Sequence, residues 1–146
     1  MIKKTTALLA LLPLLATASE STDKAIQKAR ASSECIAYLT MLEESDLTPY
    51  LSKVKVLTDV YKSSILSALN DPTMKDDGLF ERSGVSFSND FYAGEIFASS
   101  ISDTTKSVRD STLIEAKPQR PHLTVSEQWA EEALKRYSSS NCDLIE

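Results

Sequence analysis

Glycine and histidine are scarce in this chain, and their scarcity excludes several common functional sites. The 146 residues include 3 glycines and 1 histidine. A phosphate-binding loop needs closely spaced glycines, which are absent. The single histidine, His122, excludes a His-rich metal site and argues against a Ser-His-Asp triad. Because it follows Pro121 in a proline-containing linker, we interpret His122 as a surface residue.

Acidic residues are frequent, but no catalytic or metal-binding motif contains them. Asp71, Asp76 and Asp77 precede Gly78, yet their spacing does not match the calcium loop of an EF-hand. Other acidic residues are interpreted as solvent-facing helix surface: Glu43, Glu44, Asp46, Glu131 and Glu132. No motif selects two of them as the acid and base of a glycosidase. The sequence therefore assigns no catalytic residue, no cofactor and no metal ligand.

The chain has a single long apolar run, which lies at the N-terminus. Residues 5–15 (TTALLALLPLL) follow Lys3 and Lys4 and precede the small residues 16–18 (ATA). A short basic region, an apolar stretch of roughly 7–15 residues and small residues at the cleavage site are the three parts of a secretory signal peptide. We therefore predict a cleavable signal peptide over residues 1–18.

A retained membrane anchor and a lipoprotein are the alternatives to a cleaved signal. The apolar run contains Pro13 and is shorter than the roughly 20 residues that a membrane-spanning helix needs. A lipoprotein would carry cysteine at the cleavage site, whereas the first cysteine here is Cys35. We expect residues 19–146 to form a single helical domain that is periplasmic or secreted, with no stable membrane insertion.

The charge balance is acidic and bears on the class of partner. The chain has 16 Lys and Arg against 21 Asp and Glu, a formal net charge of −5, and loss of Lys3 and Lys4 with the signal makes it more acidic still. Nucleic acids and anionic lipids bind to basic surfaces. We therefore expect no nucleic-acid partner. A basic protein partner is compatible with this charge, as is good solubility alone.

The chain has 2 cysteines, Cys35 and Cys142, and no C-x-x-C redox motif. In an exported protein, two cysteines can form one disulfide. We predict this bond between the first helix and the C-terminal tail, with the two Cα atoms within roughly 7 Å of each other. The alternative is a nucleophilic thiol, which would need His122 as its base.

Apolar residues recur at spacings of three and four along most of the chain, which indicates amphipathic helices. The predicted helices cover residues 24–44, 49–69, 90–109 and 125–138. Thr48 followed by Pro49 fits the start of the second helix, and Thr124 with Glu127 fits a capping box at the start of the fourth. Because no segment alternates with period two, we predict an all-α fold, a small four-helix bundle-like domain.

The chain between the second and third helices is predicted to be an irregular loop at about residues 70–90. Two aromatic residues in a connection of this length argue against disorder, so we expect Phe80 and Phe87 to insert into the core. In the third helix, Gly94 implies either a close helix–helix contact or a break in the helix.

Two aromatic residues are candidates for a binding surface. Aromatic residues on predicted helices are expected to pack in the core by default, but exposed Tyr and Trp concentrate binding energy at protein interfaces. Tyr50 and Trp129 lie in the first turns of their predicted helices, near an end of the bundle. They are therefore the candidate interface residues.

The first predicted helix contains the run Cys35-Ile36-Ala37-Tyr38, after a signal peptide and with a distant second cysteine. This arrangement resembles the small periplasmic helical immunity proteins of type VI secretion, over about one helix and the general layout. That family has glycines around the tyrosine and further cysteines nearby, whereas this chain has Ala37 and Thr40 at those positions. The resemblance implies a periplasmic protein that binds and neutralises a toxin.

Export, small size, acidity and the absence of a catalytic motif favour a non-enzymatic periplasmic protein-binding module. One form of it is an immunity or inhibitor protein against a basic, envelope-targeting toxin. Two alternatives stay open. One is a binder of a small apolar or amphiphilic ligand between helices. The other is an enzyme that works without histidine, using carboxylates, tyrosine or serine.

Overall fold

The computed structural model describes residues 13–72, 87–115 and 123–146. The α-helices in these ranges are α1 (Pro13–Leu39), α2 (Glu44–Leu47), α3 (Leu51–Leu69), α4 (Asn89–Glu115) and α5 (Val125–Ser139). Two short 3-10 turns are η1 (Thr48–Tyr50) and η2 (Cys142–Leu144). The predicted all-α fold is confirmed, with four long helices and no strand in the described ranges. No helix in these ranges is both long and apolar enough to cross a membrane.

Helix α1 begins earlier and ends earlier than predicted. It covers Pro13–Leu39 rather than residues 24–44. A tight turn follows its end. In this turn the hydroxyl of Thr40 donates to the backbone carbonyl of Ala37 at 2.7 Å. The apolar period continues past this turn because Met41 and Leu42 pack against the core from outside the helix. That continuation made the predicted helix too long at its C-terminal end.

The second predicted helix is divided in the structure. Its first residues belong to the turn η1, which joins the short helix α2 to α3. The backbone of Thr48 is helical, with φ −48° and ψ −44°, and its hydroxyl donates to the carbonyl of Glu44 at 2.9 Å. The N-cap predicted at Thr48 is therefore wrong, because the chain is already helical before this residue.

Helices α1 and α3 pack against each other in opposite directions. Leu39, at the end of α1, shares a buried cluster with Leu57, in the first half of α3. Ala29, earlier in α1, instead shares a cluster with Ile65, near the end of α3. The short connection through α2 and η1 is what an antiparallel pair of neighbouring helices requires.

Helix α4 runs in the same direction as α1. The hydroxyls of Ser33 on α1 and Ser100 on α4 are hydrogen-bonded at 2.7 Å. Further along both helices, Leu39 and Val108 belong to one buried cluster. Helices α1, α3 and α4 therefore all pack against one another, with α3 antiparallel and α4 parallel to α1.

The core consists of two clusters of buried residues, arranged one after the other along the bundle. The disulfide cluster comprises Cys35, Ile36, Tyr38, Leu39, Leu57, Val108, Ala133, Tyr137 and Cys142. The tyrosine cluster comprises Ala29, Tyr61, Ile65, Leu69 and Ala93. Phe97 of α4 packs against both and joins them. Full burial of a Leu side chain contributes about 1.5–3 kcal/mol, so Leu39 and Leu57 are major sources of stability in the first cluster.

The predicted disulfide pairing is confirmed. Cys35 on α1 and Cys142 in η2 are bonded, with their Cα atoms 5.7 Å apart. Both side chains are buried, with 1% and 0% exposure. The bond therefore lies inside the core, where it fixes the C-terminal segment to α1.

Two further contacts hold the C-terminal segment. The ammonium of Lys53 donates to the carbonyls of Asp143 and Ile145, at 2.8 and 2.7 Å. The buried Tyr137 hydroxyl donates to the Asp143 carboxylate at 2.8 Å. Burial, followed by this hydrogen bond, raises the pKa of Tyr137 above its usual value.

Helix α4 is longer than predicted. It covers Asn89–Glu115 rather than residues 90–109, and the backbone N–H of Phe91 donates to the Ser88 hydroxyl at 3.3 Å at its start. Beyond residue 109, serine and threonine hydroxyls donate to carbonyls of the preceding turn, so they do not compete with the helix. A Cβ built on Gly94 would meet nothing within 4 Å. Gly94 therefore marks neither a close contact nor a break.

Helix α5 begins with the predicted capping box. The Glu127 backbone N–H donates to the Thr124 hydroxyl at 3.3 Å, and the Thr124 backbone N–H donates to the Glu127 carboxylate at 2.5 Å. Hydrogen bonds from Thr124, first from its backbone and then from its side chain, lower the pKa of Glu127. The predicted capping box is therefore confirmed.

Of the two loop aromatic residues that were predicted to insert into the core, Phe87 is among the described residues. Phe87 is 44% exposed and stacks on Phe91, with ring centroids 4.4 Å apart. Its predicted insertion into the core is therefore wrong, because it lies just before α4 and packs along the outside of that helix. Phe80 and His122 lie outside the described residues.

Candidate functional site

Helix α5 covers one half of the surface between α1 and α4, and no other described residue covers the second half. On the covered half, the Arg136 guanidinium of α5 donates to the hydroxyls of Ser107 and Ser111 on α4, at 3.0 and 2.7 Å. On the open half, α1 and α4 border a cavity of about 590 Å³ that reaches down to α3. Its lining side chains all belong to these three helices. We call it the α1–α4 groove.

The floor and inner walls of the groove are apolar. They are formed by Ile26, Ala29, Tyr61, Ile65, Tyr92 and Ile96. Since Ala29 and Ile65 are members of the tyrosine cluster, the groove opens directly onto that part of the core. On the α4 wall, Ile96 is 42% exposed. Ala29, Tyr61 and Ile65 on the floor are buried, so the apolar surface that the groove exposes belongs mainly to its α1 and α4 walls.

Tyr61 shapes the floor and is held in place by α4. Its ring is buried and packs against Phe97, with centroids 4.9 Å apart. Its hydroxyl donates to the backbone carbonyl of Ala93 at 2.6 Å. Burial raises the pKa of Tyr61, so the phenol stays neutral and serves as a fixed link between α3 and α4.

A serine pair crosses the middle of the groove. Ser33 donates its hydroxyl hydrogen to the carbonyl of Arg30 at 2.9 Å, so the hydrogen in the 2.7 Å contact with Ser100 comes from Ser100. The chain of hydrogen bonds ends on a backbone carbonyl, which cannot act as a general base. This pair therefore joins α1 to α4 and is not arranged as an activated nucleophile.

The two rims of the groove differ in charge. On the α1 rim, the Arg30 guanidinium and the Glu34 carboxylate form an exposed ion pair at 3.5 Å. On the α4 rim, Glu95 and Asp103 have no hydrogen bond or ion pair with any described residue. The α1 rim is thus locally neutral, whereas the two carboxylates on the α4 rim form no ion pair with any described residue.

Exposed aromatic rings continue the groove at the N-terminal end of α4. Phe87 and Phe91 stack on each other, and the Tyr92 ring contacts both edge-on, at centroid distances of 6.1 and 5.8 Å. Phe91 is 50% exposed. Because Tyr92 also lines the groove, the aromatic rings and the groove floor form one continuous apolar surface.

The two residues predicted as an interface lie elsewhere. Tyr50 packs edge-on against Tyr137 at a centroid distance of 5.4 Å and is partly buried beside the disulfide cluster. Trp129 lies at the other end of α5, about 12 Å away along the helix axis, with the Arg109 guanidinium 4.9 Å from its ring. Neither lines the groove, and their role as partner contacts stays a prediction.

The groove residues were not predicted from the sequence, although the apolar pattern of α4 pointed to two of them. Tyr92 and Ile96 lie beside the main apolar stripe of α4, which includes Phe97 and Val108. Two adjacent apolar faces on one helix indicate two contacts, one with the core and one with something else. The described structure fills only the first of them.

The described residues offer no obvious site for a metal or a reactive thiol. No group of three or more His, Cys, Asp or Glu side chains in the described ranges could hold a metal ion. Both cysteines are in the disulfide. The groove presents an apolar floor and, on its α4 rim, two carboxylates.

No match emerges when the chain is compared with protein-family models, curated proteins and solved structures. Function is therefore inferred from the groove itself. Its open apolar floor and its unequal rims are the two properties that a binding hypothesis has to explain.

Proposed function

We propose that this protein is an exported, non-enzymatic binding module that holds a helical segment of another protein in the α1–α4 groove. The observation that carries the proposal is the open half of the bundle, where an apolar floor lies between α1 and α4 and α5 does not reach. A helix placed there would complete the four-helix arrangement that α5 completes at the other end.

The dimensions of the groove suit a helix of about three turns. On α4 the lining extends from Tyr92 to Thr104, which corresponds to about 18 Å of helix. A partner helix of the same length has about 12 residues. Its apolar side chains at i, i+3, i+4 and i+7 would meet the floor, as in other helix-in-groove complexes.

Export is supported by the signal-peptide pattern and by the disulfide. Disulfides persist in oxidising compartments, and the Cys35–Cys142 bond is buried in the core. Cleavage after Ala18 would leave Ser19 at the start of α1 and retain Thr22, whose buried hydroxyl donates to Asp71 beyond the end of α3. We propose a periplasmic or secreted location on this basis.

Export is tested by the intact mass of the protein purified from an exporting host. The expected mass is that of Ser19–Glu146 less two hydrogens, rising by two hydrogens after reduction. A chain that keeps residues 1–18 and two free thiols would overturn the export proposal. The groove would then have to be tested for a partner in the cytoplasm.

The partner is identified by a photo-crosslinking residue at Ser99, which lines the groove and is exposed. A matched crosslinker at the exposed Asp59 of α3, outside the groove, is the control. Proteins labelled from position 99 and not from position 59 are then purified, and their affinity is measured directly. Equal labelling from both positions would contradict a docking site in the groove.

A pair of similar substitutions then tests the groove against the rest of the surface. Ile96 in the groove and Val56 on α3 are β-branched side chains with nearly equal exposure, 42% and 40%. Ile96→Asp is expected to weaken partner binding at least tenfold, since loss of one buried apolar contact costs about 1.5–3 kcal/mol. Val56→Asp is expected to leave binding unchanged. Equal effects of the two substitutions would overturn the proposal.

A small amphiphilic ligand is the second candidate occupant. The groove volume of about 590 Å³ falls in the range of roughly 300–1,000 Å³ that small-molecule pockets occupy. Native mass spectrometry of the exported protein would show such a ligand as a constant added mass. Ser99→Trp should remove that mass. We do not propose the histidine-independent enzyme, because the serine pair has no base.

A further inference from the structure

The rims of the groove restrict the chemistry of its occupant. On α1, Arg30 and Glu34 already neutralise each other at 3.5 Å. On α4, Glu95 and Asp103 border the same groove and have no partner among the described residues. An occupant that places neutral side chains along both rims would leave these carboxylates partly desolvated without a counter-charge, which is unfavourable.

The spacing of the two α4 carboxylates determines how far apart the matching cations on the occupant should lie. Glu95 and Asp103 are separated by about 12 Å along the α4 axis. Cations seven or eight residues apart on a partner helix, about 10.5–12 Å, would face both carboxylates at once. The intervening Ser99 is small and exposed, so it leaves room for the long side chains of Lys or Arg.

A second copy of this chain is a poor occupant. The chain has a formal net charge of −5, and the predicted loss of Lys3 and Lys4 makes it more negative. Docking of one copy on the α4 rim of another would bring two acidic molecules together, and charge juxtaposition of like sign is costly at an interface. A different and basic chain is favoured.

We infer that the groove takes a basic amphipathic helix whose cations lie on one flank only, the flank that faces α4. This inference rests on the proposed function and adds to it the sign, spacing and side of the charges. The α4 carboxylates attract the cationic flank, while the opposite flank lies against the neutral Arg30–Glu34 pair and gains nothing from charge.

Three synthetic helical peptides test the inference on the exported protein. They share one leucine stripe and differ in the flanks: lysines seven residues apart on one flank, the same lysines on both flanks, or glutamines throughout. The one-flank peptide is expected to bind about 3- to 10-fold tighter than the glutamine peptide at low salt, since exposed ion pairs contribute about 0.2–1 kcal/mol each. The two-flank peptide is expected to bind no more than about 2-fold tighter than the one-flank peptide, because the second flank has no unpaired carboxylate to meet.

Neutral isosteres on the protein provide the matched controls. The double variant Glu95→Gln with Asp103→Asn is expected to remove the advantage of lysine over glutamine, whereas Asp59→Asn on α3 is expected to retain it. Salt at about 0.5 M should reduce the advantage in the wild type, because exposed charges are then screened within a few ångströms. Equal binding of the one-flank and glutamine peptides by the wild type would overturn the inference, as would an advantage that survives the double variant.

Failure of the inference is distinguishable from failure of the proposed function. If all three peptides bind equally and Ile96→Asp abolishes binding of each, the groove is a docking site and its rim charges are irrelevant. If the peptides bind and Ile96→Asp has no effect, the groove itself is not the site. If no peptide binds the wild type, the occupant is not a basic amphipathic helix, and crosslinking from position 99 still decides whether the groove is used.

Discussion

At the residue scale, a few polar side chains inside the bundle decide how it is held together. The Tyr61 hydroxyl donates to the carbonyl of Ala93, and the Tyr137 hydroxyl donates to Asp143. In both cases a buried phenol reaches a partner on another segment of the chain. These bonds fix the relative positions of helices in a way that apolar contacts alone do not, because a hydrogen bond has a required direction.

Tyr137→Phe is expected to destabilise the protein by about 1–2 kcal/mol at neutral pH, since it removes a hydrogen bond to a charged acceptor. Because the pKa of Tyr137 is raised in the folded state, its stabilising effect is complete below the unfolded value of about 10 and is lost as the pH rises through the higher folded value. The stability difference between wild type and variant should therefore be constant from about pH 6 to 9 and should shrink above about pH 10.

Urea unfolding of both proteins across this pH range measures the difference. Tyr38→Phe is the control, because Tyr38 is buried in the same cluster and its hydroxyl has no hydrogen bond to a described residue. At neutral pH it is expected to cost less stability than Tyr137→Phe, because no hydrogen bond is lost. A difference between wild type and Tyr137→Phe that stays constant to pH 11 would show that the phenol is not held in its neutral form by the fold.

At the element scale, the helices α4 and α5 determine where the bundle is closed and where it is open. Helix α4 extends along both core clusters, whereas the shorter α5 contacts it near Ser107 and Ser111. The difference in their lengths creates the groove. The long helix α4 also contains Gly94, which is exposed. A Cβ added to this residue would meet no atom within 4 Å.

Gly94→Ala is expected to stabilise the protein by about 0.5–1 kcal/mol, because alanine restricts the unfolded chain and favours the helix, and the structure has room for its Cβ. The reverse change at an exposed alanine of the same helix, Ala98→Gly, should cost a similar amount. Denaturant midpoints of the three proteins give both values. A loss of stability in Gly94→Ala would mean that the α4 backbone near this residue is not helical in solution.

The sequence predicted helices better than it predicted their ends. Periodic apolar residues and the Thr124–Glu127 capping box are local signals, and they located α3 and α5 closely. The end of α1 was predicted too late because Met41 and Leu42 remain in the core after the helix has ended. An apolar pattern reports burial, and burial continues through a turn when the turn itself packs against the core.

The groove could not be predicted from local sequence patterns. It depends on which part of α4 is covered by α5, and that depends on the path of the chain after α4. The predicted interface residues, Tyr50 and Trp129, were chosen for residue type and for position in a first turn. In the structure Tyr50 packs edge-on against Tyr137 beside the core, and neither residue lines the groove, so their role as partner contacts stays a prediction.

At the scale of the whole molecule, the Cys35–Cys142 bond connects two segments that are separated by 107 positions in the sequence. Closure of so long a loop reduces the conformational freedom of the unfolded chain. Because both sulfurs are buried, the bond also forms part of the disulfide cluster. The connection spans α1, α3, α4 and α5, so it acts on the entire bundle.

Replacement of both cysteines, Cys35→Ala with Cys142→Ala, is expected to lower the free energy of unfolding by about 3–4 kcal/mol. The wild type unfolded in the presence of a strong reductant should resemble the variant, while the variant should not respond to the reductant. Urea unfolding of both proteins in each condition makes the measurement. Equal stability of the oxidised wild type and the variant would show that the bond does not restrain the unfolded chain.

The covalent fastening of the bundle lies at one end, whereas the helices around the groove are joined by hydrogen bonds such as Tyr61–Ala93 and Ser33–Ser100. The disulfide, the Lys53 contacts and the Tyr137–Asp143 hydrogen bond all hold the end of the molecule opposite the groove. Helices that are tied covalently at one end can separate at the other when the hydrogen bonds around the groove open, so backbone amides along the groove should exchange with solvent through local openings that the disulfide cluster does not share. In the proposed complex, such local openings would admit partner side chains of different sizes without loss of the fold.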